Sequence, residues 1–530
     1  MTKPRIAVFS GPTATIANSP TLVTSNKGRR PGERMLEGRY DHLVGQLLYE
    51  PVTVRIKKYV AHPLEEDAKE LYQDDGKDYY EVELRPEDGP YLLPYLARRA
   101  DGSPHGTPFE DGDLLSAALT YGGRQFFYPD ASRIFADIDR TISGRDEHGE
   151  ASILDRKAEY DFIRVLPPGG FTQRGEVSGV DYFPYRPYPI SNRPRRGDLA
   201  RVTNTVSAAL ASGDYSGCIW MEGSPTVEES VYWLNLLIDT HLPIAGIASQ
   251  RTHGQLANDG DRNIVDAVEF ILSGQGIDIG AVGVQDERIY AAREFKKADD
   301  RPGNYKATGG HGGILGTVGP PVTIWYKPAY QHTASSAVNI NQLPQEVEFL
   351  DTVGDINPFR VRVKGANGGL LAEAIPHVHI VKYGAYMDVD PSDGPDHEVD
   401  ILARVEQGLA EERDPDPSAP RLHGFVLEGT SPYGVGSKSQ HAALAIAACS
   451  GMPVVRVGRA DPGGRVPGDR DSLSVAGSNL DTNKARLLLM ASMLKLGRLP
   501  KAKDPRNPSA RELEVIRAKI AEFQEIFESH

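Results

Sequence analysis

At 530 residues, with 39% hydrophobic and 25% charged side chains, the chain has the composition of a soluble globular protein and is too long for one core. Acidic residues outnumber basic ones, 73 to 59, for a formal net charge of −14; no basic excess exists to neutralise phosphates, so no nucleic acid is expected as a partner. Cys218 and Cys449 sit in apolar contexts, cannot build a disulfide framework and read as reduced. No charged-then-apolar leader precedes Arg5-Ile6-Ala7-Val8-Phe9, and no apolar run reaches the roughly 18 residues of a membrane span, so a cytoplasmic protein with no membrane partner is expected.

In chain order, the first element is a β-rich run, Ile6 to Phe9, ending in Ser10-Gly11-Pro12-Thr13-Ala14-Thr15. From Gly28 to about Tyr188 the chain turns rich in Tyr, Pro, Asp and Gly and reads as a large insertion, partly β and partly loop. Helical spacing then covers Leu199 to Ala211, Val227 to Thr240 and Ile264 to Leu272, with short apolar runs at 218–221, 244–248 and 281–284. The alternation resumes with runs at 379–381, 425–427 and 454–457 and helices at Gln440 to Cys449 and Asn483 to Leu496. Buried strands alternating with helices are the signature of a parallel α/β sheet. Residues 385–420 read as a solvated loop flanking a helix from about Glu398 to Glu412, and Ser509 to His530 as a charged amphipathic helix.

Four blocks carry a resemblance. The first strand leads to Thr13-Ala14-Thr15-Ile16-Ala17. Leu199 to Asn263 contains Gly223-Ser224-Pro225-Thr226, Leu242 to Ala248 and Asn258-Asp259-Gly260-Asp261-Arg262-Asn263. Ala292-Arg293-Glu294 is followed by Lys297. The last block joins Gly424 to Gly429, Pro453-Val454-Val455 with Arg459, and Asn479 to Arg486. In this order and at strand–turn positions, the blocks resemble the bacterial-type L-asparaginase/glutaminase family. The resemblance implies a two-domain asparaginase-like α/β fold with parallel sheets flanked by helices. The expected N-terminal domain is 1–335, with a large insertion at about 30–185; a linker at 336–375 precedes a smaller α/β domain at 376–530 with a helical tail. It also implies a site at the carboxyl ends of the larger domain's strands and a homo-oligomer, a tetramer built as a dimer of dimers or a dimer.

The resemblance assigns candidate roles. Thr15 is the leading nucleophile, projecting from a loop after a strand, with Thr13 as the competitor and second substrate contact. A hydroxyl needs a base within hydrogen-bond reach, and Lys297 matches the family's base, with Lys296 as the spare. A lysine abstracts a proton near neutral pH only if desolvation or nearby cations favour the free amine; Arg293, one helical turn back, is the expected neighbour. Ser224 stands for the family's second catalytic threonine, and a cap with proline at the first helical position is its ordinary alternative. Thr226 and Glu229 could form a capping box. Pro225 replaces an Asp that helps hold the substrate α-ammonium, and proline supplies neither charge nor N–H. Ser191-Asn192 resembles the pair that binds the substrate carboxylate, and Ser25 to Gly32 falls at the family's lid.

No cofactor and no metal site are expected. His311 lies in a Gly-rich loop without metal-ligand spacing, and His377 and His379 read as packed residues on one face of a strand. The expected function is hydrolysis of the C–N bond of a small linear or cyclic carboxamide without a free α-amino group, through a threonine acyl-enzyme. A catalytically degenerate small-molecule sensor or scaffold is the alternative; an amidotransferase-like subunit is a third.

Overall fold

The computed structural model describes residues 4–10, 16–18, 52–57, 79–84, 125–127, 161–165, 195–224, 226–251, 259–385, 394–416, 419–459, 466–469 and 471–530. Thr13, Thr15, Ser191, Asn192, Pro225, the segment Ser25 to Gly32 and most of the expected insertion lie outside these residues.

Strands up to residue 324 are β1 (Arg5–Ser10), β2 (Ile16–Asn18), β3 (Val52–Lys57), β4 (Tyr79–Leu84), β5 (Gln125–Phe127), β6 (Asp161–Val165), β7 (Gly217–Met221), β8 (Ile244–Ile247), β9 (Ala281–Gln285), β10 (Arg288–Ala291), β11 (Phe295–Lys297), β12 (Tyr305–Ala307), β13 (Ile314–Val318) and β14 (Val322–Ile324). Eight of them form one sheet in the order β14-β13-β10-β9-β8-β7-β1-β6. The five strands from β6 to β9 run parallel, and β10, β13 and β14 extend the sheet as antiparallel neighbours. Helices α1 (Asp198–Ala211), α2 (Val227–Leu237) and α3 (Gly260–Leu272) follow the sequence periodicity within a few residues.

Strand β1, one in from the edge strand β6, shows why this sheet is covered on both faces. Side chains alternate along a strand. Ile6 and Val8 join a buried cluster with Ala267, Val268 and Phe270 of α3, while Ala7 and Phe9 join the cluster with Val231 and Leu234 of α2. A strand apolar at four successive positions, 6 to 9, therefore feeds two cores at once. Helix α2 is buried on most sides, and two of its polar side chains are matched: the Trp233 indole donates to Thr203 Oγ1 at 2.9 Å, and Asn235 Oδ1 accepts from the Ala281 amide at 3.0 Å.

Residues 336–375, expected as a linker, carry a hairpin of β15 (Glu346–Leu350) and β16 (Pro358–Arg362), with Val347, Phe349 and Val361 buried. A second sheet, all parallel, follows in the order β17 (His377–Lys382), β18 (His423–Gly429), β19 (Val454–Gly458) and β20 (Val475–Ala476). Around it pack α4 (Val399–Glu411), α5 (Lys438–Cys449), α6 (Thr482–Leu496) and α7 (Ala510–Ser529). Helix α6 is the joint: it packs on β17, β18 and β19 and also on α2 of the first sheet. Its stretch from Leu487 to Leu494, apolar but for Ser492 and buried throughout, suits a helix packed between two layers. Among the described residues, no helix is long and apolar enough to cross a membrane.

Candidate active site

Strand β7 ends at Met221, in register with Ser10 of β1 on one side and Ile247 of β8 on the other. The chain then turns through Glu222-Gly223-Ser224 into α2. This turn is tight because the Gly223 carbonyl accepts from both the Thr226 and Val227 amides, at 3.0 and 3.1 Å. The helix cap is Thr226, whose hydroxyl donates back to Gly223 O and makes no cap bond to the helix amides. Ser224 is therefore not the cap, and no Thr226–Glu229 capping box forms. Glu229 instead pairs with Arg486 at 2.8 Å and accepts from Asn483 at 3.0 Å, tying the turn to α6.

With the capping role taken elsewhere, the Ser224 hydroxyl meets Lys297, whose Nζ donates to Oγ at 3.1 Å. The two residues are 73 positions apart, and four further hydrogen bonds fix their approach. The Lys297 amide donates to Glu228 Oε2 at 2.5 Å, and the Tyr305 hydroxyl, on the strand paired with Lys297, donates to Ser224 O at 3.1 Å. Lys484, buried on α6, donates to the carbonyls of Arg293 and Phe295 at 2.9 and 2.5 Å. Burial pushes the Glu228 carboxyl upward, opposed by the Lys484 charge and the Lys297 amide.

The segment carrying Lys297 is a strand, not a helix, so Arg293 does not stack one turn behind it. Arg293 is buried and faces the other way. Its Nε donates to His530 O and its Nη1 to Asn479, both at 2.7 Å, and its guanidinium lies 3.7 Å from the Tyr330 ring centroid. Lys296 turns to Asp481 at 3.4 Å. The second neighbour of Lys297 Nζ is an anion, Asp300 Oδ1 at 2.6 Å, with the Asp300 side chain 93% exposed. Lys297 itself is one-fifth exposed, so the pair reaches from a half-closed cleft to solvent.

The loop after β8 forms an adjoining wall. Asp259 accepts from Ser249 Oγ and the Gln250 and Arg251 amides at 2.9 to 3.0 Å. Gln250 Nε2 and Arg251 Nη1 then donate to the carbonyls of Asp299 and Asp300, at 3.0 and 2.6 Å. A cavity of about 330 Å³ abuts the same turn from the side of α1 and α6; Glu222, Thr226, Trp233 and Arg486 line it, but neither Ser224 nor Lys297 does.

A glycine sets the height of β11. The Phe295 ring lies flat on β9 at Gly283 and stacks on Tyr305 with centroids 4.7 Å apart. A Cβ at residue 283 would sit 2.6 Å from Phe295 ring atoms. Gly283→Ala is expected to destabilise the protein by about 1–3 kcal/mol, as overpacked cores do, and to lower kcat by moving Lys297. Denaturant midpoint and turnover check both, and an unchanged midpoint would contradict this packing.

Of the residues singled out from sequence, the structure brings Ser224 and Lys297 together; Thr13, Thr15, Ser191, Asn192 and Pro225 are outside the described residues. Sequence reasoning missed Asp300, Glu228 and Tyr305. Only Asp300, three residues after Lys297 in an Asp-Asp pair, left a local signal.

A family profile described as "Asparaginase, N-terminal" matches residues 190–304, the stretch holding both members of the bonded pair. The glutaminase-asparaginase of Acinetobacter glutaminasificans is 26% identical over 147 residues, covering 28% of this chain and 44% of that protein. Residues 190–304 of the chain are thus similar to the asparaginase family. L-asparaginase 2 of Bacillus subtilis is 26% identical over 151 residues (28% of this chain, 40% of that one). The L-asparaginase of Bacillus licheniformis is 34% identical over 99 residues (19% and 31%). The chain thus spans less than half the length of these asparaginase-family relatives. Among solved structures, a probable cytoplasmic L-asparaginase from Campylobacter jejuni aligns with a TM-score of 0.47 at 19% identity, covering 70% of this chain and 87% of that one. The profile match runs from just before α1 to the turn before β12, so the second sheet lies beyond it.

Proposed function

We propose that this chain is an amidohydrolase that cleaves the C–N bond of a small carboxamide lacking a free α-amino group. The observation that carries the reading is the 3.1 Å contact between Lys297 Nζ and Ser224 Oγ, at the carboxyl end of a central parallel strand. Open α/β sheets bind their ligands at that edge. Thr15 is the nucleophile in this reading. Strand β1 ends at Ser10, opposite Met221, and five further residues at roughly 3.3–3.6 Å each give Thr15 ample reach to Ser224.

Thr15 Oγ1 attacks the amide carbonyl, and its proton passes through the Ser224 hydroxyl to the free-amine form of Lys297, which then delivers it to the leaving nitrogen. Asp300 gives the lysine an exposed carboxylate partner through which its proton exchanges with solvent. Backbone N–H groups of the Gly-rich turns receive the developing oxyanion. The tetrahedral intermediate expels the amine, which leaves as ammonia from a primary amide, and water then hydrolyses the threonine ester to the carboxylic acid. No metal or organic cofactor enters these steps. Ser191 and Asn192 would hold a carboxylate or polar handle on the substrate, with Thr13 beside it. Pro225 is the specificity element, because the position lacks the acid that would pair an α-ammonium. The acting unit is a homo-oligomer, tetramer or dimer, in the cytoplasm.

Incubation with a panel of primary amides, lactams and imides tests this, with assay of ammonia and new carboxylate and Thr15→Ala as control. Turnover lost in the variant is expected. Turnover that persists unchanged would move the nucleophile elsewhere; no turnover on any compound would favour the sensor reading, which rests on Pro225.

A further inference from the structure

His377 and His379, read from sequence as a packed pair, have a third partner. Both lie on one face of β17, the edge strand of the second sheet, and the register sets His377 opposite His423 of β18. The His377 and His379 ring centroids are 4.2 Å apart, and those of His377 and His423 are 5.8 Å apart. One ring nitrogen from each of the three lies within 4.8 Å of the others.

Glu411, at the end of α4, reaches the same point. Its Oε2 is buried without a hydrogen-bond partner, as is His423 Nδ1. Two imidazole nitrogens stand near that oxygen, His423 Nε2 at 3.5 Å and His377 Nδ1 at 3.9 Å. These distances are long for hydrogen bonds. They are close to the spacing of two donors on one tetrahedral ion, roughly 3.3–3.6 Å for bonds of about 2.0–2.2 Å. A buried carboxylate oxygen left without a hydrogen-bond partner beside two imidazole nitrogens calls for an occupant.

Two cations oppose this. Arg404 Nη1 lies 2.9 Å from His379 Nδ1, and Arg196 faces the cluster while its Nη1 donates to Ile375 O. His423 Nε2 also lies 3.1 Å from Pro420 O. Arg404 is half-buried on a long flexible stem and can swing out.

We propose that His377, His379 and His423, with Glu411 as fourth donor, form a site for a divalent transition-metal ion of the zinc class, clamping α4 to the edge strand β17. Imidazole and carboxylate donors without a thiolate suit Zn²⁺. The site is separate from the Ser224–Lys297 pair, and its test needs no activity.

Full-length protein stripped with chelator would be titrated with Zn²⁺ against a chromophoric competitor, and Tm followed with and without the ion. One Zn²⁺ per chain and a rise in Tm are expected. His379→Ala, at a half-exposed strand position, should weaken binding by about tenfold or more while folding normally by circular dichroism, and Glu411→Gln should weaken it as well. Arg404→Ala should tighten binding severalfold, because it removes a competing cation; a merely structural histidine cluster would not respond that way. Absence of stoichiometric binding, equal affinity in wild type and His379→Ala, or weaker binding in Arg404→Ala would each overturn the proposal.

Discussion

Lys297→Met is expected to lower kcat on the best amide substrate by about 10²- to 10⁴-fold, the range for loss of a positioned acid–base group. The variant should fold normally, because the contact anchoring this strand to Glu228 is made by the backbone amide, not the amine. Lys297→Arg should not rescue turnover, since a guanidinium cannot give up its proton at working pH. KM should move little, as Ser224 is the residue between Lys297 and the reacting hydroxyl. Initial-rate kinetics on the three proteins check this. Near-wild-type turnover in Lys297→Met would remove the lysine from the chemistry.

The second large effect concerns the substrate. L-Asparagine should be a poor substrate, with kcat/KM about 10²- to 10³-fold below that of the best amide without an α-amine. The expectation rests on Pro225: an ammonium held in a cleft without its acid costs several kcal/mol, and each 1.4 kcal/mol is about tenfold. Pro225→Asp should raise kcat/KM for asparagine relative to the α-deamino amide. Competition assays with the two compounds measure the ratio directly. Asparagine turned over as fast as the best amide would refute the specificity argument.

Much of the architecture was legible because apolar runs and helical periods are local. The run at residues 6–9 became β1, and the spacing from Leu199 to Ala211 became α1. The meeting of Ser224 with Lys297 was legible only through the order of motifs, since no local pattern links residues 73 positions apart. What failed was local geometry that tertiary contacts decide. Arg293 looked like a helical neighbour of Lys297, but the pull of His530 and Asn479 on its guanidinium accompanies a turn into a strand. Ser224 before Pro225 looked like a cap, yet the cap fell to Thr226. The third histidine escaped because strand register, not sequence spacing, brings His423 beside His377.

The central claim is that Ser224 and Lys297 act as one unit in proton transfer, and a double-mutant cycle on kcat tests it most directly. Ser224→Ala, Lys297→Met and the double variant would be assayed on the same amide. If the hydroxyl and amine form one relay, the double variant should be hardly slower than Lys297→Met alone, as with residues that work as a unit. Losses that multiply in full would contradict the account, because two independent contributions cannot come from a single shared proton path.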